Sequence, residues 1–234
     1  MTKISAFFAA CIFAAGASAA QPPHKVTLSY DLSYNGVVAA ELTEVLEHDG
    51  RRFSLRSEGR GVGIGALLYR GAARRACRGE VTGNGLRPLE FRDQRGDKPP
   101  AVARFDWAGK ALTQEHDGKS ETTNMVLPLQ DRLSFLYNFA FQAAPDLRQG
   151  KEISITLTDG KGLTRFHYIV AGRETLKTPA GELETVRLVK QRENQDDKGT
   201  EIWFASGRGY LPVRILVIET DGVRIDQVLT RIDG

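Results

Sequence analysis

From Val26 to Tyr34 every second residue is apolar and each intervening one is polar. Successive side chains of a strand point to opposite faces. The segment therefore predicts a strand with one buried and one wet face. Asn35-Gly36 ends it. A second strand is predicted from Val37 to Glu47, ending at Asp49-Gly50, and a third from Arg52 to Glu58 with Phe53 and Leu55 inward. The C-terminal half repeats the pattern. Ile153, Ile155 and Leu157 alternate, and Phe166, Tyr168 and Val170 share a face. Val186 with Leu188, and Ile202 with Phe204, mark two more strands. Leu211, Val213, Ile215 and Val217 form a strand whose other face, with Leu216 and Ile218, is also apolar, which predicts a central position. Val223, Ile225 and Leu229 return the chain.

Six Asn-Gly or Asp-Gly pairs punctuate these runs: Asn35-Gly36, Asp49-Gly50, Asn84-Gly85, Asp117-Gly118, Asp159-Gly160 and Asp221-Gly222. Such pairs suit two-residue hairpin turns, whose central positions need positive φ. Repeated at this spacing they predict a meander of antiparallel hairpins. Asp93 to Pro100 and Gln191 to Gly199 are polar and rich in turn residues, and read as exposed loops.

One segment departs from alternation. Gln130 to Ala144 lacks Gly and Pro and predicts a helix between Pro128 and Pro145. Leu133, Leu136, Tyr137 and Ala140 give a helical face, and Phe135 and Phe139 widen it. Asp131 near the start suits the helix dipole. A helix apolar over so wide an arc is mostly covered, and the inner face of a curved sheet is the simplest place for it. A second, weaker helical piece is predicted from Gly63 to Arg70. The expected fold is mostly β: a single antiparallel curved sheet, a half-barrel or barrel-like meander, with one apolar helix across its inner face.

The N-terminus changes the setting. Lys3 supplies a positive start, Ile4 to Ala15 is almost wholly apolar, and Ala17-Ser18-Ala19 offers small residues for cleavage. This is the pattern of a secretory signal peptide, and the run is too short for a membrane span of about 20 residues. The chain divides into a signal peptide, 1–20, and a single β domain, 21–234, with no transmembrane segment after maturation and a periplasmic location. Ala9-Ala10-Cys11 offers an alternative, lipid anchoring through Cys11. It is disfavoured because the apolar run continues past Cys11 and the segment before it is short.

Composition narrows function by exclusion. The chain has 32 Lys and Arg against 29 Asp and Glu, and loss of Lys3 leaves a net charge of +2. A dedicated nucleic-acid binder usually carries a clear basic excess, so nucleic acid is not an expected partner. Cys77 is the one cysteine left after maturation and cannot form an intramolecular disulfide. It reads as a small buried hydrophobe or a thiol that pairs between chains; Arg75 shares its face on a strand and could lower its pKa.

Candidate chemistry is sparse. Glu115-His116-Asp117 groups three metal-ligand types, but His116 faces away from its neighbours on a strand and no second cluster follows at recognisable spacing. His167 reads as structural, His24 lies in the mature N-terminal tail and His48 lies beside a turn. No nucleophile elbow or zinc-protease helix occurs. No metal, cofactor or catalytic residue is assigned. The run Gly59-Arg60-Gly61-Val62-Gly63-Ile64-Gly65 is not a nucleotide fingerprint, since no βαβ context surrounds it. It reads as a loop; as a strand, its bare face would admit a ligand or another backbone. The arginines from Arg70 to Arg78 read as a solvated face, with anionic lipid heads as the alternative.

Three segments carry a family resemblance: Thr178 to Leu188, Glu201 to Phe204 and Gly209 to Ile215, joined by Gln130 to Tyr137. Together they resemble the exported Gram-negative family catalogued as domain of unknown function 3108. The resemblance covers nearly all of the mature chain. It implies a fold similar to the β half-barrels of envelope lipoproteins and their carriers, and no established activity.

Three functions follow. The first is a binding or carrier protein for a lipid, an acyl chain or a lipidated partner, with Phe135, Leu136 and Phe139 lining an apolar pocket. The second is a structural or assembly module that docks an envelope protein. The third is a hydrolase without a recognisable motif.

Overall fold

The computed structural model describes residues 22–68, 71–194 and 196–234. The expected signal peptide, Cys11 and Arg70 lie outside them. The first half runs β1 (Lys25–Tyr34), β2 (Val37–His48), β3 (Arg52–Gly61), helix α1 (Ile64–Leu68), β4 (Ala72–Thr82), β5 (Gly85–Arg95), β6 (Ala101–Asp106), β7 (Ala111–His116) and β8 (Lys119–Asn124). The second runs β9 (Leu129–Asp131), helix α2 (Ser134–Asn138), a 3-10 turn (Phe139–Phe141), β10 (Glu152–Thr158), β11 (Leu163–Thr178), β12 (Gly181–Lys190), β13 (Gly199–Ala205), β14 (Leu211–Ile218) and β15 (Arg224–Asp233).

These strands form one 15-stranded sheet in the order β8 through β1, then β15 back through β9. Each neighbouring pair is a sequence neighbour except β1 with β15, which joins the chain's two ends. The sheet is the expected meander with one exception, the parallel pairing of β9 with β10. It is not closed into a barrel by a ladder. Register shifts along β1 at Ser29/Tyr30 and Leu32/Ser33, along β4 at Arg78/Gly79 and along β11 at Val170/Gly172 bend it, as an extra residue in one strand of a pair does. Away from the β1–β15 ladder the two halves meet through one isolated backbone bridge, Asn84 with Gln142, and through side chains: Gln114 Nε2 on β7 donates to Thr158 Oγ1 on β10 at 2.9 Å, and Gln130 Nε2 on β9 to the Leu86 carbonyl on β5 at 2.6 Å.

The turns divide into two kinds. Asn35-Gly36 and Asp117-Gly118 have positive φ at both positions, the geometry of a two-residue hairpin turn. At the other four pairs only the glycine is positive. There Asp49, Asp159 and Asp221 accept hydrogen bonds from backbone N–H groups two or three residues on. The Asx-type bond stabilises a longer loop.

Two expectations are corrected. The long helix from Gln130 to Ala144 is eight helical residues, Ser134 to Phe141, split between α2 and the 3-10 turn. Its first part is strand, because Leu129–Asp131 pairs with Thr156–Thr158, and backbone pairing overrides helical periodicity. Asp131 turns the chain: its Oδ1 accepts the N–H groups of Leu133 and Ser134 at 2.9 and 2.8 Å. Second, the glycine run is not a loop throughout. Gly59 and Gly61 belong to β3 and Gly65 to α1. A side chain at Gly65 would put its Cβ 1.9 Å from the Ala39 carbonyl oxygen, so only glycine lets α1 lie this close on β2.

The buried apolar side chains form one core cluster. Val26, Leu28, Leu46, Leu55, Phe91, Val186, Leu188, Phe204 and Leu229 are buried there. The helical segment from Ser134 to Phe141 is buried with them, Asn138 being the partly exposed exception. No helix among the described residues is long and apolar enough to cross a membrane.

Candidate functional site

Phe135, Leu136 and Phe139 sit in the packed part of the interior. Phe135 stacks on Tyr168 with ring centroids 5.5 Å apart, and Phe139 meets Phe204 edge to face at 5.1 Å. Strand register places the remaining interior in rows. Glu44, Ser57, Arg75 and Asp93 are aligned across β2 to β5. One step further out lie Leu42, Gly59, Ala73 and Arg95, and beyond them Ala40 and Gly61. Below the first row the corresponding positions are Leu46, Leu55, Cys77 and Phe91, all buried.

Small side chains in the outer rows leave space. A cleft of about 630 Å³ opens there, with Leu32, Leu42, Gly59, Gly61 and Ala73 in its walls and Ile64 and Gly65 of α1 against it. Arg75, Arg95, Ser57 and Gln227 supply its polar atoms, with Glu41 and Arg60, themselves an ion pair at 3.5 Å. Tyr34 and Val37 also line it and are exposed, as are Val38, Ile64 and Leu67 nearby in sequence. The side chains named from sequence do not line this cleft.

A polar cluster underlies it. Glu44 is buried, and its two oxygens accept the Tyr137 hydroxyl at 2.6 Å and the Ser57 hydroxyl at 3.0 Å. Burial pushes the Glu44 carboxyl up; the hydroxyl donors and the Arg75 charge pull the other way. Burial also raises the Tyr137 and Tyr30 hydroxyls, and the Glu44 charge adds to both. Arg75 is half-buried, with Nε 3.4 Å from Asp93 Oδ2. Burial lowers its guanidinium from its ordinary value, and Arg95 reinforces the shift. Arg95 reaches the same carboxylate, Nε to Oδ1 at 2.9 Å and Nη2 to Oδ2 at 3.0 Å.

A second buried cluster holds α2. Cys77 Sγ lies 3.0 Å from Asp131 Oδ2, which also accepts the Ser134 hydroxyl at 2.6 Å. Burial raises the Cys77 thiol well above its usual value, and the Asp131 charge adds to this. Cys77 is therefore a hydrogen-bonded core residue and its thiolate is disfavoured. The histidines are tied locally: His48 Nε2 to the Pro22 carbonyl, His167 Nδ1 to Ser154 Oγ and His116 Nδ1 to Asp117 Oδ2.

The model of a family described as a protein of unknown function, DUF3108, matches residues 29–228. The chain belongs to that family. No curated protein matches the chain in sequence. Among solved structures, a β-barrel-like protein of domain of unknown function DUF1849 from Brucella abortus aligns with a TM-score of 0.55 at 9% identity, covering 92% of this chain and 99% of that one. It shares the fold. A protein from Parabacteroides distasonis, provisionally described as a lipoprotein, aligns at 8% identity with a TM-score of 0.41, over 92% and 98% of the two chains. The chain thus shares its fold with a protein described as β-barrel-like, although its own sheet is not closed by a ladder.

Sequence reasoning missed Arg75, Arg95 and Gln227 as cleft residues. The available signal was the bare face of Gly59 and Gly61 combined with Ala39-Ala40 and Ala72-Ala73, small residues that strand pairing brings together.

Proposed function

We propose that the chain is an exported, periplasmic binding protein whose cleft takes the acyl chain of a lipid or lipidated ligand. The observation that carries this reading is the cleft itself: about 630 Å³, walled by Leu32, Leu42, Gly59 and Ala73, next to rows of buried side chains that include Leu46, Leu55, Cys77 and Phe91. Ligand pockets commonly span roughly 300–1,000 Å³ and are mostly apolar. Each buried methylene contributes about 0.8 kcal/mol. A dozen methylenes give on the order of 10 kcal/mol before the cost of association, at least about 4 kcal/mol, is subtracted. Long chains are therefore retained and short ones are not. In this reading the polar row of Ser57 and Arg75 ends the cavity, Phe135, Leu136 and Phe139 pack the interior apart from it, and the exposed Tyr34, Val37, Ile64 and Leu67 form the rim through which the chain enters.

Native mass spectrometry of protein purified from its own envelope tests the reading. A discrete added mass that leaves on unfolding, and that is lost in Ala73→Phe, supports it. A bare polypeptide that also fails to take up added palmitate contradicts it and favours docking of an envelope protein.

A further inference from the structure

Charge in the cleft is one-sided. Its charged lining residues are Glu41, Arg60, Arg75 and Arg95. Glu41 and Arg60 pair with each other. Arg75 and Arg95 share a single carboxylate, Asp93, between them. Glu44, the other nearby acid, has its oxygens occupied by Tyr137 and Ser57.

Arg75 makes one side-chain hydrogen bond among the described residues, a long one from Nε. A guanidinium offers five N–H donors, so most of its capacity is unused. A second lining residue adds to this. Gln227, on β15, lines the same cleft, and its Nε2 is buried with no acceptor among the described residues. Unpaired buried donors are costly, and a ligand that carries acceptors satisfies them.

Resting on the acyl-chain reading, we propose that the ligand is a single-chain amphiphile with an anionic head group. The head seats against Arg75 and Arg95, and the chain lies along Gly59, Ala73 and Leu42 toward Ile64. The register supports this direction, because Arg75 and Arg95 stand on β4 and β5, whereas α1 with Ile64 packs on β2 and β3. A carboxylate or a phosphate both match a guanidinium fork. An anion here also offsets, by its opposite charge, the two effects that oppose the Arg75 charge, burial and the neighbouring Arg95.

Isothermal titration at pH 8, below micellar concentrations, tests the proposal with three probes of equal chain length. These are palmitate, palmitoyl lysophosphatidylglycerol and neutral monopalmitoylglycerol. Wild type is expected to bind at least one anionic probe tenfold or more tightly than the neutral one. Palmitate alone identifies a free carboxylate, and the phospholipid alone identifies a membrane-derived head group. Arg75→Gln and the more exposed Arg95→Gln, each checked for folding by circular dichroism, are expected to lower anionic affinity at least tenfold and leave neutral affinity unchanged. Equal affinity for neutral and anionic probes overturns the head-group inference and leaves the cleft as an acyl site. Failure to bind any of the three overturns both.

Discussion

Tyr137 on α2 donates its hydroxyl to Glu44 on β2 at 2.6 Å, joining the short helix to the polar row beneath the cleft. Both residues are buried. The bond therefore does two things: it satisfies a carboxyl group removed from water, and it fixes where the packed interior stops. Tyr137→Phe removes the donor and leaves Glu44 with Ser57 alone. An unsatisfied buried polar group costs about 1–3 kcal/mol, and urea denaturation of Tyr137→Phe is expected to show a loss in that range.

The pH dependence of stability has a definite sign at Glu44. Its folded pKa is raised, chiefly by burial. The folded state therefore holds a proton that the unfolded state has released, in the window between the ordinary carboxylate value and the raised one. Stability from this group is present below that window and falls as pH rises through it. Glu44→Gln removes the titration. The melting temperature of Glu44→Gln relative to wild type is expected to climb as pH rises from 4 to 8, and a constant difference would refute the assignment.

Phe139 is packed in the core. Its ring meets Phe135 at 6.0 Å and Phe204 at 5.1 Å, and it is buried. Phe139→Ala opens a core cavity, a change that typically costs about 3–5 kcal/mol. Chemical denaturation measures this directly.

Cys77 supplies a readout of the second cluster. Its thiol is buried and lies against Asp131, and both burial and that charge disfavour the reactive thiolate. Native protein is expected to resist a thiol-reactive chromophore and to label fully in denaturant. Asp131→Ala removes the acceptor for the Leu133 and Ser134 N–H groups and is expected to accelerate native-state labelling.

Alternation makes most of the sheet legible. Val26 to Tyr34 is strand with Val26, Leu28 and Tyr30 buried, and the Asp-Gly and Asn-Gly pairs stand at the turns. The helix boundary is not legible, because Leu129–Asp131 is strand only by pairing with β10, a partner distant in sequence. Asp131 fits a helix start in the sequence and is instead a fully buried hydrogen-bond acceptor. The cleft is half legible. Alternate glycines announce a bare strand face, but the alanines that extend it and the arginines that border it come from β2, β4 and β5. Their alignment depends on register, which shifts at Arg78/Gly79 where β4 meets β5.

Chain occupancy of the cleft is tested most directly by nuclear magnetic resonance with stearate carrying a nitroxide near its terminal methyl group. The label is expected to broaden the amide signals of Gly59, Gly61 and Ala73 and to spare those of Val186 and Leu188, which lie in the packed interior on β12. Broadening confined to other surfaces, or none at saturating stearate, would contradict an acyl-binding cleft.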